Sequence, residues 1–414
     1  MGLEGPVCLS IIQRLPHPEL GAAGFSVLFA LGIWIESPVI DLLATATTLA
    51  ESRPRYALMR KFVLALMLWV TAFHAFVALT PAYWVVTEQI MGLPHRLAEV
   101  VRPGFVLFIP WSAMIGWRRS HQGILIRKGI TRPIGFGTLL RGTVMVSLCF
   151  GLYSFVPTTS SIVIASIAVV SSVATEMLFI HFISRPAVQS LPLEGVDPKP
   201  LTMRRLSAFH APLTITTMIN LLVGPLVTCG LARTPEPVRA LAGYQDASSI
   251  IVMFRMMLFC LPEVVITLGK DEQSMAALRR FSMRLGLGAS VGMLALSLSG
   301  LDRLLFRVVM NAPANVADLA HWTFLACSAI PILDAAQSYF RGVLTAQHRT
   351  TSRLIAVGAA MAGLAVVLAL GVVLHWSGPV LAGSSLTASL AGELAVLMLS
   401  VYRPVALRPV MATK

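Results

Sequence analysis

The chain has 414 residues, 56% of them hydrophobic and only 12% charged, with a mean hydropathy of +0.78. A water-soluble protein of this size has too little interior to hide so much apolar side chain, so a soluble fold is excluded and the bilayer must be the solvent. A net charge of +13 would suit nucleic-acid binding, but the placement of the basic residues gives it another meaning.

In chain order, apolar runs of about 20 residues, the length needed to cross hydrocarbon, predict spans near 20–46, 62–86, 103–117, 135–156, 160–184 and 206–232. Five more follow near 240–268, 282–301, 318–338, 354–375 and 378–402. The runs are continuous and not ten-residue alternations, which points to helices and away from a barrel. Met1-Gly2-Leu3-Glu4 lacks a basic n-region, and Pro6 stands where a myristoylation signal needs Ser or Thr. The five cysteines show no CxxC or Cys/His spacing for zinc or redox chemistry.

The loops alternate in charge. Segments 51–61, 118–141, 185–205, 270–284, 341–353 and 403–414 carry 24 of the 32 Lys and Arg. The opposite loops carry seven, Arg14, Arg96, Arg102, Arg233, Arg239, Arg303 and Arg307, and Arg255 falls inside a span. By the positive-inside rule the first set is cytoplasmic, the C-terminus included, so the basicity reports topology and lipid-headgroup contact and not nucleic acid. The excess of Arg over Lys, 27 to 5, suits a GC-rich bacterial genome and hence an inner-membrane location.

The chain also repeats itself at an offset of 219 residues. Arg14 and Gly24 return as Arg233 and Gly243, and the segment Ala57–Phe62 returns as Ala276–Phe281. Gly123-Ile124-Leu125 returns as Gly342-Val343-Leu344, and Thr131 as Thr350. Glu176 with Arg185-Pro186 recurs, slightly shifted, as Glu393 with Arg403-Pro404. Both copies begin in the same direction across the membrane, which predicts two parallel helical lobes. The expected organisation is an N-lobe over 1–188, a connector over 189–205 with Pro192, Pro198 and Pro200, and a C-lobe over 206–414. The second copy opens with a full span, 206–232, whereas only thirteen residues precede Arg14, so Val7–Ile12 reads as the tail of a span. The expectation is a 6 + 6 protein lacking most of its first helix, with about eleven complete spans.

The loop Glu51–Tyr56 does not carry the basic signature of major-facilitator proteins. Several stretches resemble instead the progressive ankylosis protein family of the multidrug/oligosaccharidyl-lipid/polysaccharide flippase superfamily. They are Trp117–Leu125, Ser26-Val27-Leu28 with Ser37-Pro38, Arg341–Thr345, and Leu390–Glu393. The resemblance is collinear from residue 20 to 405. It implies a MATE-like all-α fold and export of small solutes, anions among them, by alternating access. No enzyme activity is expected, and no cofactor beyond a coupling ion, sodium or proton, that stays open. The alternatives are a flippase for lipid-linked sugars and a truncated, inactive membrane protein. Expected partners are the bilayer and a small-molecule solute, with the chain monomeric.

An ionisable side chain inside a span is costly unless it faces a cavity or a partner. Glu36 and Arg255 occupy equivalent positions in the two copies, so they could face each other across the central cleft as a gate or clamp; the alternatives are a pair within one lobe, or an arginine that snorkels to the interface. Asp41 follows Glu36 on the far side of Pro38, and Asp334 follows Pro331. These four are the substrate or coupling candidates. Pro38, Pro225 and Pro262 are the expected kinks, because proline removes an intrahelical hydrogen bond. Glu176 and Glu393 read as structural, and no metal site is expected. HExxH, P-loop and GxSxG signatures are absent.

Overall fold

The computed structural model describes residues 4–156, 159–193, 201–347 and 349–402. Arg403-Pro404, the basic C-terminal segment, and Pro198 and Pro200 of the connector lie outside them. The described residues are all-α, with no strand.

The N-lobe runs α1 (Glu4–Ile12), α2 (Pro18–Ile40), α3 (Leu42–Leu49), α4 (Arg53–Leu79) and the single turn α5 (Ala82–Trp84). A π-helical turn, Val85–Ile90, leads into α6 (His95–Leu107), α7 (Trp111–Arg127), α8 (Arg132–Phe155) and α9 (Ser161–Gln189). The C-lobe runs α10 (Met203–Leu221), α11 (Val223–Leu231), α12 (Pro237–Arg255), a 3-10 turn at Met256–Leu258, α13 (Leu261–Leu268) and α14 (Glu272–Leu298). It ends with α15 (Leu301–Leu304), a second π-helical turn at Leu305–Val309, α16 (Ala314–Ala326), α17 (Ile330–Ala346), α18 (Thr350–Val373) and α19 (Gly378–Tyr402).

Among the described residues, nine helical segments are long and apolar enough to cross a membrane, and counting two bent pairs, α6 with α7 at 43° and α16 with α17 at 42°, as one span each brings the number to eleven. These coincide with the eleven apolar runs of the sequence; the short run at 103–117 is the middle of a longer, bent span. The outer surface is apolar, with Leu68 72% and Phe155 87% exposed, as lipid-facing side chains should be.

The repeat holds to the residue. Adding 219 to the bounds of α1, α3, α4, α6 and α7 gives those of α11, α13, α14, α16 and α17. Gly5-Pro6 at the start of α1 matches Gly224-Pro225 in α11. The recurring glycines have one physical cause. A Cβ on Gly123 would sit 2.5 Å from the Leu43 carbonyl, and one on Gly342 would sit 2.7 Å from Val265 Cβ and 3.1 Å from the Pro262 carbonyl. The same helix pair, α3 on α7 and α13 on α17, closes to backbone contact in each lobe.

Pro38, Pro225 and Pro262 each lie within three residues of a helix interruption, at Asp41, Leu222 and Phe259–Cys260. Each removes one amide donor and leaves a carbonyl of the preceding turn open to other partners. Trp34, freed by Pro38, accepts a hydrogen bond from Ser37 Oγ at 2.6 Å.

Candidate functional site

Five structural features, some within a lobe and some between the two, carry the charged and polar groups of interest. The first is a charged cluster inside the N-lobe. Arg118 and Glu176, both buried, form an ion pair. Arg141 joins Glu176 at 3.3 Å and Glu4 at 2.7 Å, and Gln122 donates to Glu176 at 3.3 Å. The sequence expectation put Arg118, Arg119 and Arg141 in a basic loop. The structure corrects this: α7 continues to Arg127 and α8 starts at Arg132, so all three arginines sit on helices, and carboxylates hold Arg118 and Arg141 inside. The C-lobe carries a matching bond, Arg341 to Glu393 at 2.5 Å, at the positions equivalent to Gln122 and Glu176.

Second, Glu36 and Asp41 flank the α2–α3 interruption beside Arg119. Arg119 lies within electrostatic reach of Glu36, Asp41 and Glu176, yet among the described residues none of its nitrogens is within bonding distance of a carboxylate. One oxygen each of Glu36 and Asp41 is buried without a partner, as is Arg119 Nε. Unpaired charges of both signs, held together inside a membrane protein, are costly groups.

Third, Arg255 forms a bidentate pair with Asp334, donating from Nε to one oxygen and from Nη2 to the other at 3.2 Å. The guanidinium also stacks 5.7 Å from the Phe259 ring. Arg255 therefore does not reach Glu36: two candidates are joined, but within the C-lobe. The reason lies in the neighbouring helix. Asp334 stands one turn into α17, whereas the equivalent N-lobe position is Ile115, so Glu36 has no like-placed partner and faces Arg118 and Arg119 instead.

Fourth, α10 crosses from its own lobe to lie on α2, α3 and α4. His210 fixes it there. Its Nε2 is 2.9 Å from the Pro38 carbonyl, freed by the α2–α3 interruption, and its Nδ1 is 2.8 Å from Thr45 Oγ1. No described helix covers the equivalent face of α12 and the turn that follows it, where Met253, Met257 and Phe259 are 37%, 58% and 54% exposed.

Fifth, the lobes are sealed at the end bearing the 14–18 and 233–237 turns, the less basic end. The seal is reciprocal. Arg233 donates to the Ile90 and Met91 carbonyls, both at 2.7 Å, and Arg14 reaches the Val309 carbonyl at 3.4 Å. Arg14 and Arg233 are equivalent, as are Ile90 and Val309, each ending the π-helical turn of the opposite lobe. Asn315 and Arg239 bind Glu19 across the same division, at 2.6 and 3.4 Å, and Asn311 donates to the Gln13 carbonyl at 3.1 Å. Gly92 and Asn311, again 219 apart, both have positive φ, 76° and 60°. Glycine adopts that conformation freely and asparagine better than most.

Sequence reasoning missed Arg119, His210, Gln13 and Asp246. His210 and Asp246 were legible as ionisable groups within spans. Gln13 and Arg119 carried no such signal.

The described residues form an all-α membrane protein of two parallel lobes, and solved structures of MATE-like transporters share this fold. No protein-family model matches the chain, and no curated protein does. Among solved structures, an inward-facing multidrug-resistance MATE transporter superposes with a TM-score of 0.75 at 13% identity, over 96% of this chain and 94% of its own. The lipid II flippase MurJ in an inward closed conformation gives 0.73 at 11%, over 97% and 86%. The MATE multidrug transporter DinF-BH gives 0.68 at 15%, over 97% and 92%. An outward-facing MATE transporter gives 0.58 at 12%, over 96% and 92%.

Proposed function

We propose that this chain is a secondary active transporter that exports small anionic solutes by alternating access, with the basic end facing the cytoplasm of a bacterial inner membrane. The observation that carries this reading is the reciprocal seal at the less basic end, built on equivalent residues of two lobes that each bury charged groups behind it. Two rigid lobes with a breakable, hydrogen-bonded seal are what rocking around a central site requires. Arg119 supplies a guanidinium without a direct partner, and Glu36 and Asp41 beside it are placed to be displaced from its field by an incoming anion or to hold the coupling ion. Arg255 and Asp334 play the corresponding part opposite them. The Trp117–Leu125 and Arg341–Thr345 segments support placing the chain near the progressive ankylosis family.

The exposed methionine and phenylalanine face of α12 and the turn after it favours a second reading, a flippase for lipid-linked sugars, because an uncovered face beside the cleft would admit an acyl tail from the bilayer. Proteoliposome flux separates the two. Pyrophosphate, citrate and nucleotides should move while cationic dyes do not, and Glu36→Gln should abolish flux with membrane insertion unchanged. Undiminished flux in that variant would remove Glu36 from the mechanism. Movement of a polyprenyl-linked sugar alone would favour the flippase.

A further inference from the structure

Asp246, on α12, has no solvent exposure, and Gln13, after α1 in the opposite lobe, is only 3% exposed. Gln13 Nε2 lies 2.7 Å from each oxygen of the Asp246 carboxyl, while Gln13 Oε1 is buried with no hydrogen-bond partner. As an ionised group, Asp246 would be a desolvated charge served by one neutral amide, next to an acceptor left idle. Among the described residues no Lys, Arg or His nitrogen is bonded to it.

A single proton removes both defects. A neutral carboxyl and a primary amide form a two-point pair, in which the acid O–H donates to the amide oxygen and the amide N–H donates to the acid carbonyl. A small rotation of either side chain converts the observed arrangement into that pair. Without the proton, the buried anion gains most by opening to water.

We propose that Asp246 is a proton-binding site, and that its protonated carboxyl, paired with Gln13 across the lobes, latches the less basic end shut.

The charged groups on the elements around α12 are engaged elsewhere. On α1, Glu4 pairs with Arg141; on α2, Glu19 pairs with Arg239 and Glu36 faces Arg118 and Arg119. On α16, Asp318 pairs with Arg307 and His321 with Asp302. Asp334 of α17 holds Arg255, and Glu393 of α19 holds Arg341. Glu272, Arg279, Arg280 and Arg284 of α14 belong to the basic end, and α11 contributes only Cys229. Closing therefore takes up one proton at Asp246. Above the carboxyl's own pKa, the closed-to-open ratio should fall up to about tenfold per pH unit.

This assignment rests on the alternating-access reading, and the following test needs no solute. Spin labels on Arg96→Cys and Ala314→Cys, exposed positions of the two lobes at the less basic end, report separation by pulsed electron resonance in lipid. The wild-type background should move from short to long distances as pH rises, whereas Asp246→Asn, permanently neutral, should stay short throughout. A pH-independent wild type, or an identical response in both, would overturn the latch. If Asp246→Asn does not fold, infrared spectra of wild-type protein with carboxyl-labelled aspartate decide. A protonated aspartic acid C=O band should be present while the lobes are closed and vanish as they part; its absence in the closed state overturns the assignment. A latch that titrates while no solute moves leaves the proposal standing and the transport reading refuted, and flux with a latch blind to pH does the reverse.

Discussion

Glu176 shows how much rests on one buried carboxylate. It has no solvent exposure and holds Arg118, Arg141 and Gln122. Glu176→Gln leaves two arginines with less than their charge inside the N-lobe, and removing one member of a buried pair costs about 3–5 kcal/mol. Thermal unfolding in detergent should show that loss, while Glu393→Gln, whose partner Arg341 is 32% exposed, should lose distinctly less. Arg255→Lys offers a functional counterpart. Lysine keeps the charge but not the planar fork that meets both Asp334 oxygens, so flux should drop sharply while expression and melting change little. Glu36, Asp41, Arg255 and Asp334 could all be picked out in the sequence because an ionisable group in a span is conspicuous. Which of them pair with one another, and which other residues face them, could not be picked out. Arg118, Arg119 and Arg141 lay in a segment whose basic count looked like topology, and whether such an arginine meets lipid headgroups or a buried glutamate depends on where the helix ends.

Among the elements, α10 is the one that leaves its own lobe. Its hold on the N-lobe passes through His210, the Pro38 carbonyl and Thr45 Oγ1. His210→Ala leaves that carbonyl unpaired in a buried site, at a cost of about 1–3 kcal/mol. The expected outcome is faster alkylation of a cysteine placed at Thr45, read against the same cysteine with His210 intact. Unchanged labelling would mean that packing alone holds α10. The glycine contacts make a complementary case. Gly342→Leu would drive a side chain into Val265 and the Pro262 carbonyl, and should lower the melting temperature more than the same change at Gly358, where no atom lies within 4 Å of an added Cβ. The recurrence of Gly123 and Gly342 was visible in the sequence; that they press α7 on α3 and α17 on α13 required the backbone.

For the whole molecule, the seal at the less basic end decides which side of the cleft is closed. Arg14 and Arg233 make equivalent bonds to opposite lobes. Arg233→Ala should shift the lobes toward the opposite opening by roughly 1–2 kcal/mol, and adding Arg14→Ala should shift them further. Inter-lobe distances between labels at this end report it directly, and a distance distribution unaltered in the double variant would show that the remaining contacts suffice.

The sequence alone determined the solvent, the eleven spans, the two parallel lobes and their 219-residue register. Those properties are carried by apolar run length, by charge asymmetry across loops and by repetition, all of which are linear in the chain. Only the tertiary structure decided which charges meet. It joined Arg255 to Asp334 and not to Glu36, drew three loop-like arginines into the N-lobe, and set Asp246 against Gln13, 233 residues apart. A pair across two lobes is fixed by the angle at which bent helices cross, and those angles follow from prolines, interrupted helices and glycine contacts acting together rather than from any one stretch of sequence.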